Sequence, residues 1–356
     1  MGIHSIRIQN FKSIRDLGDL QLKPLNILIG GNGSGKSNFI NFFKFVNRLY
    51  ERGQKVYVNQ HGKADNFLYF GRKKSDFLYG KITFDNSHNN EYEFRMVPTN
   101  KNDLIFDFER SNYGFNKSWQ IASGNDESDL KNYTGYEGAY LRGNMSRFKV
   151  FHFHDTGFNS RIKQPSTIND NAYLHEDGGN LPAFLYVLQE KYSKTFRKIE
   201  GILRLIAPFF DRFYLHPDEL NAQFIELRWL EKGSEQLFDA HNMSDGTLRM
   251  ICLLTLLLQP KPPNTIIIDE PELGLHPSAI QHLTELMKAA SLTTQLIVST
   301  QSVNLISEFD SSDILVVDRK DNQSTFSRLD TEQLEIWLDD YNIGELWEKN
   351  VIGGNP

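Results

Sequence analysis

Eight consecutive residues, Gly30-Gly31-Asn32-Gly33-Ser34-Gly35-Lys36-Ser37, follow the pattern G-x-x-x-x-G-K-S. Glycines at these places let backbone N–H groups surround a polyphosphate. The lysine then reaches the β/γ-phosphates and the serine hydroxyl faces Mg2+. Asn32, Gly33, Ser34, Gly35, Lys36, Ser37 and Asn38 are therefore the candidate nucleotide-binding residues. A second segment, Thr265-Ile266-Ile267-Ile268-Asp269-Glu270-Pro271-Glu272, reads as an apolar strand ending in carboxylates. Asp269, at the strand's end, can hold Mg2+ through water opposite Ser37. Glu270 can orient and deprotonate an attacking water; the plainer reading is a solvated acidic turn before Pro271. Glu272 is open among an outer contact to the site, a second metal and a surface charge. Together the two segments imply ATP and Mg2+ as cofactors, with hydrolysis as the reaction.

A third segment, Asn242-Met243-Ser244-Asp245-Gly246-Thr247, precedes an apolar helical run. Ser244 suits a helix N-cap and Gly246 admits close backbone approach. A helix N-terminus is a prepared anion site, although an ordinary capped helix has the same signature.

The elements that must hold these residues are legible as patterns. Ile3 to Ile8 alternates as a strand does, and Asn10-Phe11-Lys12-Ser13 reads as a turn. Leu25 to Ile29 is a short strand running into the glycine loop. Phe39, Ile40, Phe43, Val46 and Leu49 then repeat at helical spacing. Tyr92, Phe94 and Met96 alternate, as do Leu104, Phe106 and Phe108. These predict an antiparallel β lobe with long polar loops around Gly124 to Tyr133. Leu181 through Ile206 keeps helical spacing and predicts one helical stretch closed by Pro208. Phe224 to Trp229 predicts a strand. The final third alternates helix and buried strand: Thr247–Leu258, Thr265–Ile268, Pro277–Ala290, Gln295–Val298 and Ile314–Val317. This predicts a parallel sheet. Four stretches are expected: 1–84 and 241–356 as the two parts of a core, 85–145 as an inserted β-rich lobe, and 146–240 as a strand plus a helical lobe.

Composition fits a folded globular protein, 39% hydrophobic and 24% charged over 356 residues. The net charge of −6 argues against a uniformly basic nucleic-acid coat, but a local basic patch could still bind DNA. Arg72-Lys73-Lys74 and the set Arg142, Arg147 and Lys149 could touch phosphates; a solvated charged face explains them as well. His152 and His154 alternate on a strand beside Asp155, and such a pair without a third ligand is more often structural than metal-binding. Cys252 is the one cysteine, so no intramolecular disulfide forms and a reducing cytoplasm is expected. The most apolar run, Met250 to Leu258, falls well short of the ~20 residues of a membrane span.

The order of motifs resembles the ABC-type ATPases of the SMC/RecF-like class. Within it the chain looks like the compact bacterial AAA-labelled ATPases that include the OLD-like proteins. The resemblance is carried by Ile6-Arg7-Ile8-Gln9-Asn10-Phe11-Lys12-Ser13-Ile14, the glycine loop, Ser244-Asp245-Gly246-Thr247, the strand to Glu272, Gly274-Leu275-His276-Pro277 and Ser299-Thr300-Gln301-Ser302. It covers nearly the whole chain apart from about Asp85 to Asn144. The fold it implies is α/β: an ABC-type P-loop head with a mixed, largely parallel sheet core, an inserted antiparallel lobe, a helical lobe and no long coiled coil. It implies a homodimer in which two protomers sandwich two ATP molecules head to tail. Ser244 and Gly246, with Asp245 between them, then meet the γ-phosphate held by the partner's P-loop. Asp269 is the Walker B metal-side residue, Glu270 the base, and Leu273 to His276 the dimer-facing loop.

Two departures stand out. Asp245 occupies a place where transporters usually carry glycine. The switch position, usually histidine in transporters, is Gln301, which can hydrogen-bond a phosphate oxygen or water but carries no charge. The family's Mg2+-contacting glutamine is not identifiable, with Gln54 and Gln60 as nearby candidates. The expected function is an ATPase coupled to a separately encoded partner, a nuclease-like effector, and/or to DNA, in anti-phage defence. The short acidic, aromatic segment 337–348 is a place where a partner or the sheet edge could dock. A RecF-like DNA repair or maintenance ATPase is the alternative. A transporter subunit is a third reading, opposed by the Ser-Asp-Gly-Thr signature and Gln301.

Overall fold

The computed structural model describes residues 2–354 apart from 115–116, 136 and 219. The chain divides into two compact units, Met1–Val150 with Pro263–Asp269 and Ser291–Pro356, and Phe151–Pro262 with Glu270–Ala290.

The first unit opens with β1 (Ile3–Phe11), β2 (Ile14–Asp16), β3 (Leu20–Gln21) and β4 (Leu25–Ile29). Helices α1 (Lys36–Glu51), α2 (Gln54–Gln60) and α3 (Lys63–Phe67) follow. After them come β5 (Leu78–Phe84), β6 (Glu91–Pro98), β7 (Leu104–Tyr113), β8 (Lys117–Ala122), α4 (Gly138–Met145) and β9 (Lys149–Phe151). An antiparallel sheet runs β2-β1-β5-β6-β7-β8, with β3 also on β1. Its pleat sorts side chains by face: Tyr92, Phe94 and Met96 are buried while Glu91, Glu93 and Arg95 between them are not. Helix α1 buries Phe39, Phe42, Phe43 and Phe45. The Phe42 ring meets Phe11 edge-on at 5.5 Å and stacks on Phe94 at 6.1 Å, which ties the helix to this sheet.

The second unit contributes β10 (Ser166–Thr167), α5 (Leu181–Lys191), α6 (Ser193–Ile206), β11 (Phe210–Phe213), β12 (Phe224–Ile225), β13 (Arg228–Glu231), β14 (Leu237–Asp239) and α7 (Asp245–Leu258). The helical stretch expected as one is two. Tyr192, at φ −133° and ψ 50°, leaves helical geometry between α5 and α6. The apolar spacing continues across the break because both helices bury one face, so periodicity alone did not register it. The strand expected at 224–229 is also two. Ile225 pairs with Ser166 of β10, whereas Trp229 pairs with Phe213 of β11, so the chain changes sheets at Glu226-Leu227. Helix α7 buries Leu248, Ile251, Leu254 and Cys252, and burial pushes the Cys252 thiol well above its ordinary pKa.

The remaining elements are β15 (Thr265–Asp269), α8 (Pro277–Ser291), β16 (Gln295–Ser299), α9 (Val303–Ile306), β17 (Ile314–Lys320), β18 (Gln323–Arg328), α10 (Thr331–Leu338) and α11 (Ile343–Glu348). The first unit's second sheet runs β18-β17-β4-β16-β15-β9. Strands β17, β4, β16 and β15 are parallel, as expected of strands so apolar. Helix α1 shares one core with both sheets of this unit, since Ile267, Ile297 and Leu315 join the cluster around Phe39 to Phe45. In segment 337–348, α11 packs on α9 through buried Ile343, Leu346 and Trp347, with the Ser307 hydroxyl donating to Asn342 at 2.9 Å.

Candidate active site

The phosphate-loop side lies in the first unit. Every residue of β4 is buried, and the chain leaves it directly into Gly30. Gly33 and Gly35 take φ of 80° and 120°, which side chains rarely adopt. A Cβ on Gly35 would also fall 2.0 Å from the Ser324 hydroxyl. That hydroxyl donates to the Ser34 carbonyl and lies 2.7 Å from Ser13 Oγ, which accepts from the Asn38 amide at 2.7 Å. Ser13 and Ser324 are thus the floor under the loop. The first was visible as part of a turn and of the opening segment that carries the resemblance, and the second gave no sequence signal.

Lys36 is buried at the start of α1, and its Nζ donates to the Gly30 and Gly31 carbonyls. The Gly31 N–H donates to the Gly354 carbonyl, so the segment after α11 reaches the loop. Asn32, Gly33 and Ser37 are exposed, and the space above Gly33 is open. The Ser34 hydroxyl is buried without a hydrogen-bond partner. A buried donor of this kind, beside exposed loop amides and the N-terminus of α1, fits a bound phosphate chain.

The register of the parallel sheet places the metal-side carboxylate. Asp269 pairs with Ser299, and Ser299 with Leu28, so β15, β16 and β4 end level with one another. Asp269 ends β15, Gln301 follows β16, and the loop with Lys36 and Ser37 follows β4. These residues therefore share the C-terminal edge of one sheet, the side where such sheets bind ligands. Ser37 and Asp269 are the residues at this edge whose oxygens could hold Mg2+.

The remaining site residues lie in the second unit. Glu270 follows Asp269 directly and adopts φ 44°, a left-handed conformation costing a non-glycine residue about 1–3 kcal/mol unless its surroundings impose it. Its carbonyl accepts from the Leu273 N–H at 3.3 Å and faces the His154 Nε2 at 3.3 Å. Ser244 caps α7, accepting from the Thr247 N–H at 3.2 Å. Asp245 pairs with Lys163 at 3.1 Å. Gly246 lies so close to the loop after Glu270 that a Cβ there would stand 2.4 Å from the Gly274 carbonyl. Arg249, one turn into α7, donates to the carbonyls of Phe153 (3.1 Å), His154 (2.9 Å) and Leu273 (2.7 Å), and to the Thr156 hydroxyl (3.3 Å). Sequence reasoning missed Arg249. It read His154 as more often structural than metal-binding, without naming the Glu270 carbonyl as its partner.

Other candidates are placed as follows. Gln54 is buried, its amide donating to the Leu104 carbonyl at 3.4 Å, while Gln60 ends α2 on the surface. Neither belongs to the loop's surroundings as described. Glu272 is half-buried and accepts, through its carbonyl, from the Leu275 N–H at 2.9 Å. Among the described residues no group of three His, Cys, Asp or Glu could hold a metal, and this includes His152, His154 and Asp155. Arg72 is tied to Asp65 at 3.1 Å, whereas Lys73 and Lys74 are exposed beside Phe70, itself 60% exposed.

Comparison with known proteins bears on the family and the fold. The profile of a family described as "AAA domain, putative AbiEii toxin, Type IV TA system" matches residues 25–307. The Old nuclease of Escherichia phage P2 is 24% identical over 377 aligned positions, which span 93% of this chain and 61% of that protein. The chain thus matches less than two thirds of that relative's length. A solved Smc head bound to the C-winged helix domain of ScpA superposes with a TM-score of 0.64 at 15% identity, over 94% of this chain and all of that one. The Pyrococcus furiosus Smc head, with an extended coiled coil and bound to the C-terminal domain of ScpA, gives 0.58 at 15% identity, covering 95% of this chain and 99% of that one. The fold is that of an SMC-type P-loop ATPase head. Among the described residues no helix is long and apolar enough to cross a membrane.

Proposed function

Because this chain belongs to that AAA-domain family of SMC-like P-loop ATPases, we propose that it binds ATP with Mg2+ at Asn32–Asn38 and hydrolyses it to ADP and phosphate. The observation that carries this reading is the shared sheet edge: loop, Asp269 and Gln301 leave three neighbouring parallel strands at one level. When bound, Mg2+ neutralises phosphate charge and orients the leaving group. Lys36 exchanges its carbonyl partners for phosphate oxygens, and the loop amides and Ser34 hydroxyl hold the chain of phosphates. Glu270 accepts the proton of the attacking water, and Gln301 hydrogen-bonds near the transferred group. In a head-to-tail homodimer Ser244, Asp245 and Gly246 of one protomer close on the nucleotide held by its partner.

We further infer that the ATP-gated dimer drives a partner protein, a nuclease-like effector in anti-phage defence. Its likeness to the Old nuclease supports this reading. DNA is a second ligand, favoured by exposed Phe70 with exposed Lys73 and Lys74 three and four positions after it, since stacking and phosphate contacts together suit single-stranded nucleic acid.

The test is turnover and solution mass with and without ATP, for wild type and Glu270→Gln, each with and without DNA. The substitution is expected to lower turnover by about 10²–10⁴-fold while retaining ATP and trapping a dimer. Unchanged turnover would remove Glu270 as the base. Turnover and ATP binding indifferent to DNA would leave the protein partner as the coupled element.

A further inference from the structure

Four residues of the second unit close a circuit of hydrogen bonds around the main chain of Glu270. Arg249 Nη1 donates to the Leu273 carbonyl at 2.7 Å, and the Leu273 N–H donates to the Glu270 carbonyl at 3.3 Å. His154 Nε2 meets the same Glu270 carbonyl at 3.3 Å, and the His154 carbonyl accepts from Arg249 Nη2 at 2.9 Å. A carbonyl can only accept, so this contact is a hydrogen bond in the tautomer that carries the proton on Nε2. We infer that Arg249 and His154 are positioning residues for Glu270, setting the backbone from which its carboxylate projects and linking it to the start of α7.

Three features carry the assignment beyond ordinary packing. Glu270 is held left-handed at φ 44°, a conformation that needs outside support. Gly274, at φ 74°, holds a conformation that strains any side chain, and a Cβ there would stand 2.5 Å from Arg249 Nη1 and displace it. Arg249 rises from the same helix whose first turn holds Ser244, Asp245 and Gly246, and Gly246 abuts the Gly274 carbonyl. A displacement of the α7 N-terminus therefore pulls on Leu273 and, one hydrogen bond further, on Glu270. Whatever Ser244 and Gly246 contact is reported to the base through this path.

The inference rests on Glu270 acting as the base, and its test separates the two claims. Steady-state ATP turnover would be measured for Arg249→Ala, Arg249→Lys, His154→Ala and His154→Gln, alongside melting temperature. Hydrogen exchange of the Leu273 amide, without nucleotide, would be followed in the same proteins. Both alanine variants are expected to lower kcat by about 10–100-fold, as a misplaced reacting group does. KM for ATP should stay within about twofold, because the phosphate loop is untouched. Glutamine presents an N–H near the place of histidine Nε2, so His154→Gln should recover most of the rate and His154→Ala none. Lysine can serve one carbonyl but not three, so Arg249→Lys should recover less. In both alanine variants the Leu273 amide should exchange faster.

Unaltered Leu273 exchange would overturn the circuit whatever the activity. Faster exchange with kcat unchanged would overturn its positioning role. A wild type that exchanges as expected yet turns over no ATP would strike at the reading of Glu270 itself. If Arg249→Ala does not fold, the histidine pair decides, since the half-buried His154 ring can be replaced with little loss of packing.

Discussion

The phosphate loop and the Glu270 turn are built by different means. The loop leaves a fully buried strand, β4, that is flanked on both sides by parallel neighbours. Its shape follows from the apolar core beneath it, helped by the Ser13 and Ser324 hydroxyls, the Lys36 ammonium on the Gly30 and Gly31 carbonyls, and the Gly354 carbonyl on the Gly31 N–H. The turn from Glu270 to His276 belongs to no strand, and its shape is fixed by side chains donating to main-chain carbonyls. An apolar core fails only when much of the fold fails. A handful of hydrogen bonds, each worth about 0.5–3 kcal/mol, can be altered singly while the protein stays folded. The glycine loop is therefore the rigid element, and the turn carrying Glu270 is the adjustable one.

The largest expected effect tests the rigid side. Phe42 is fully buried in α1 and its ring contacts Phe11, Phe43 and Phe94; Gly80 opposite leaves space that a Cβ would deny, 2.7 Å from the Phe42 ring. Phe42→Ala should destabilise the first unit by about 3–5 kcal/mol in denaturant titration, with ATP affinity following the folded fraction. A loss below about 1 kcal/mol would mean the loop does not depend on this core, and the contrast drawn here would collapse.

A smaller and differently shaped effect is expected on the adjustable side. Gly246→Ala forces a shift of main chain, because the obstacle at 2.4 Å is the Gly274 carbonyl rather than a flexible side chain. We expect about 1–3 kcal/mol of destabilisation. Affinity of the monomer for ATP should be unchanged, while the proposed ATP-dependent dimer should be absent from light scattering. Equal loss of ATP binding would show that the loop and the turn are not separable.

The same contrast explains what was legible in the sequence. The loop, its strand and its helix are contiguous, so residue type and spacing sufficed to place Lys36 and Ser37 at the start of a helix that follows a buried strand. Asp269 was legible for the same reason, as the end of a run of isoleucines. Arg249 was not, because its partners lie 24 to 96 positions away and are carbonyls, which every residue possesses. Ser324 meets Ser13 across 311 positions, and nothing local distinguishes it from any other strand serine. The break at Tyr192 was hidden because apolar spacing outlasts a change of direction, and the switch of sheets at Glu226-Leu227 because alternation does not name the partner strand. Periodicity reports which face is buried; it does not report against what.

Asp245 gives the smallest predicted effect and bears on the least expected residue of the signature. Its carboxylate lies 3.1 Å from Lys163 Nζ and in the first turn of α7, where negative charge meets the positive end of the helix. Asp245 is 57% exposed, whereas the Lys163 side chain is 9% exposed. Solvent on the acid's side weakens the attraction, and the helix terminus adds a comparable small term. Asp245→Ala should therefore cost about 0.5–1 kcal/mol at low salt, and less as ionic strength rises past the point where the screening length falls under ~5 Å. Denaturation at low and high salt measures both. A loss of equal size in each would mean that Asp245 supports the turn by packing rather than by charge, and that the signature's departure from glycine has no electrostatic purpose in the free protein. A loss confined to low salt would instead make Lys163 the residue that holds Asp245 by charge at the first turn of α7.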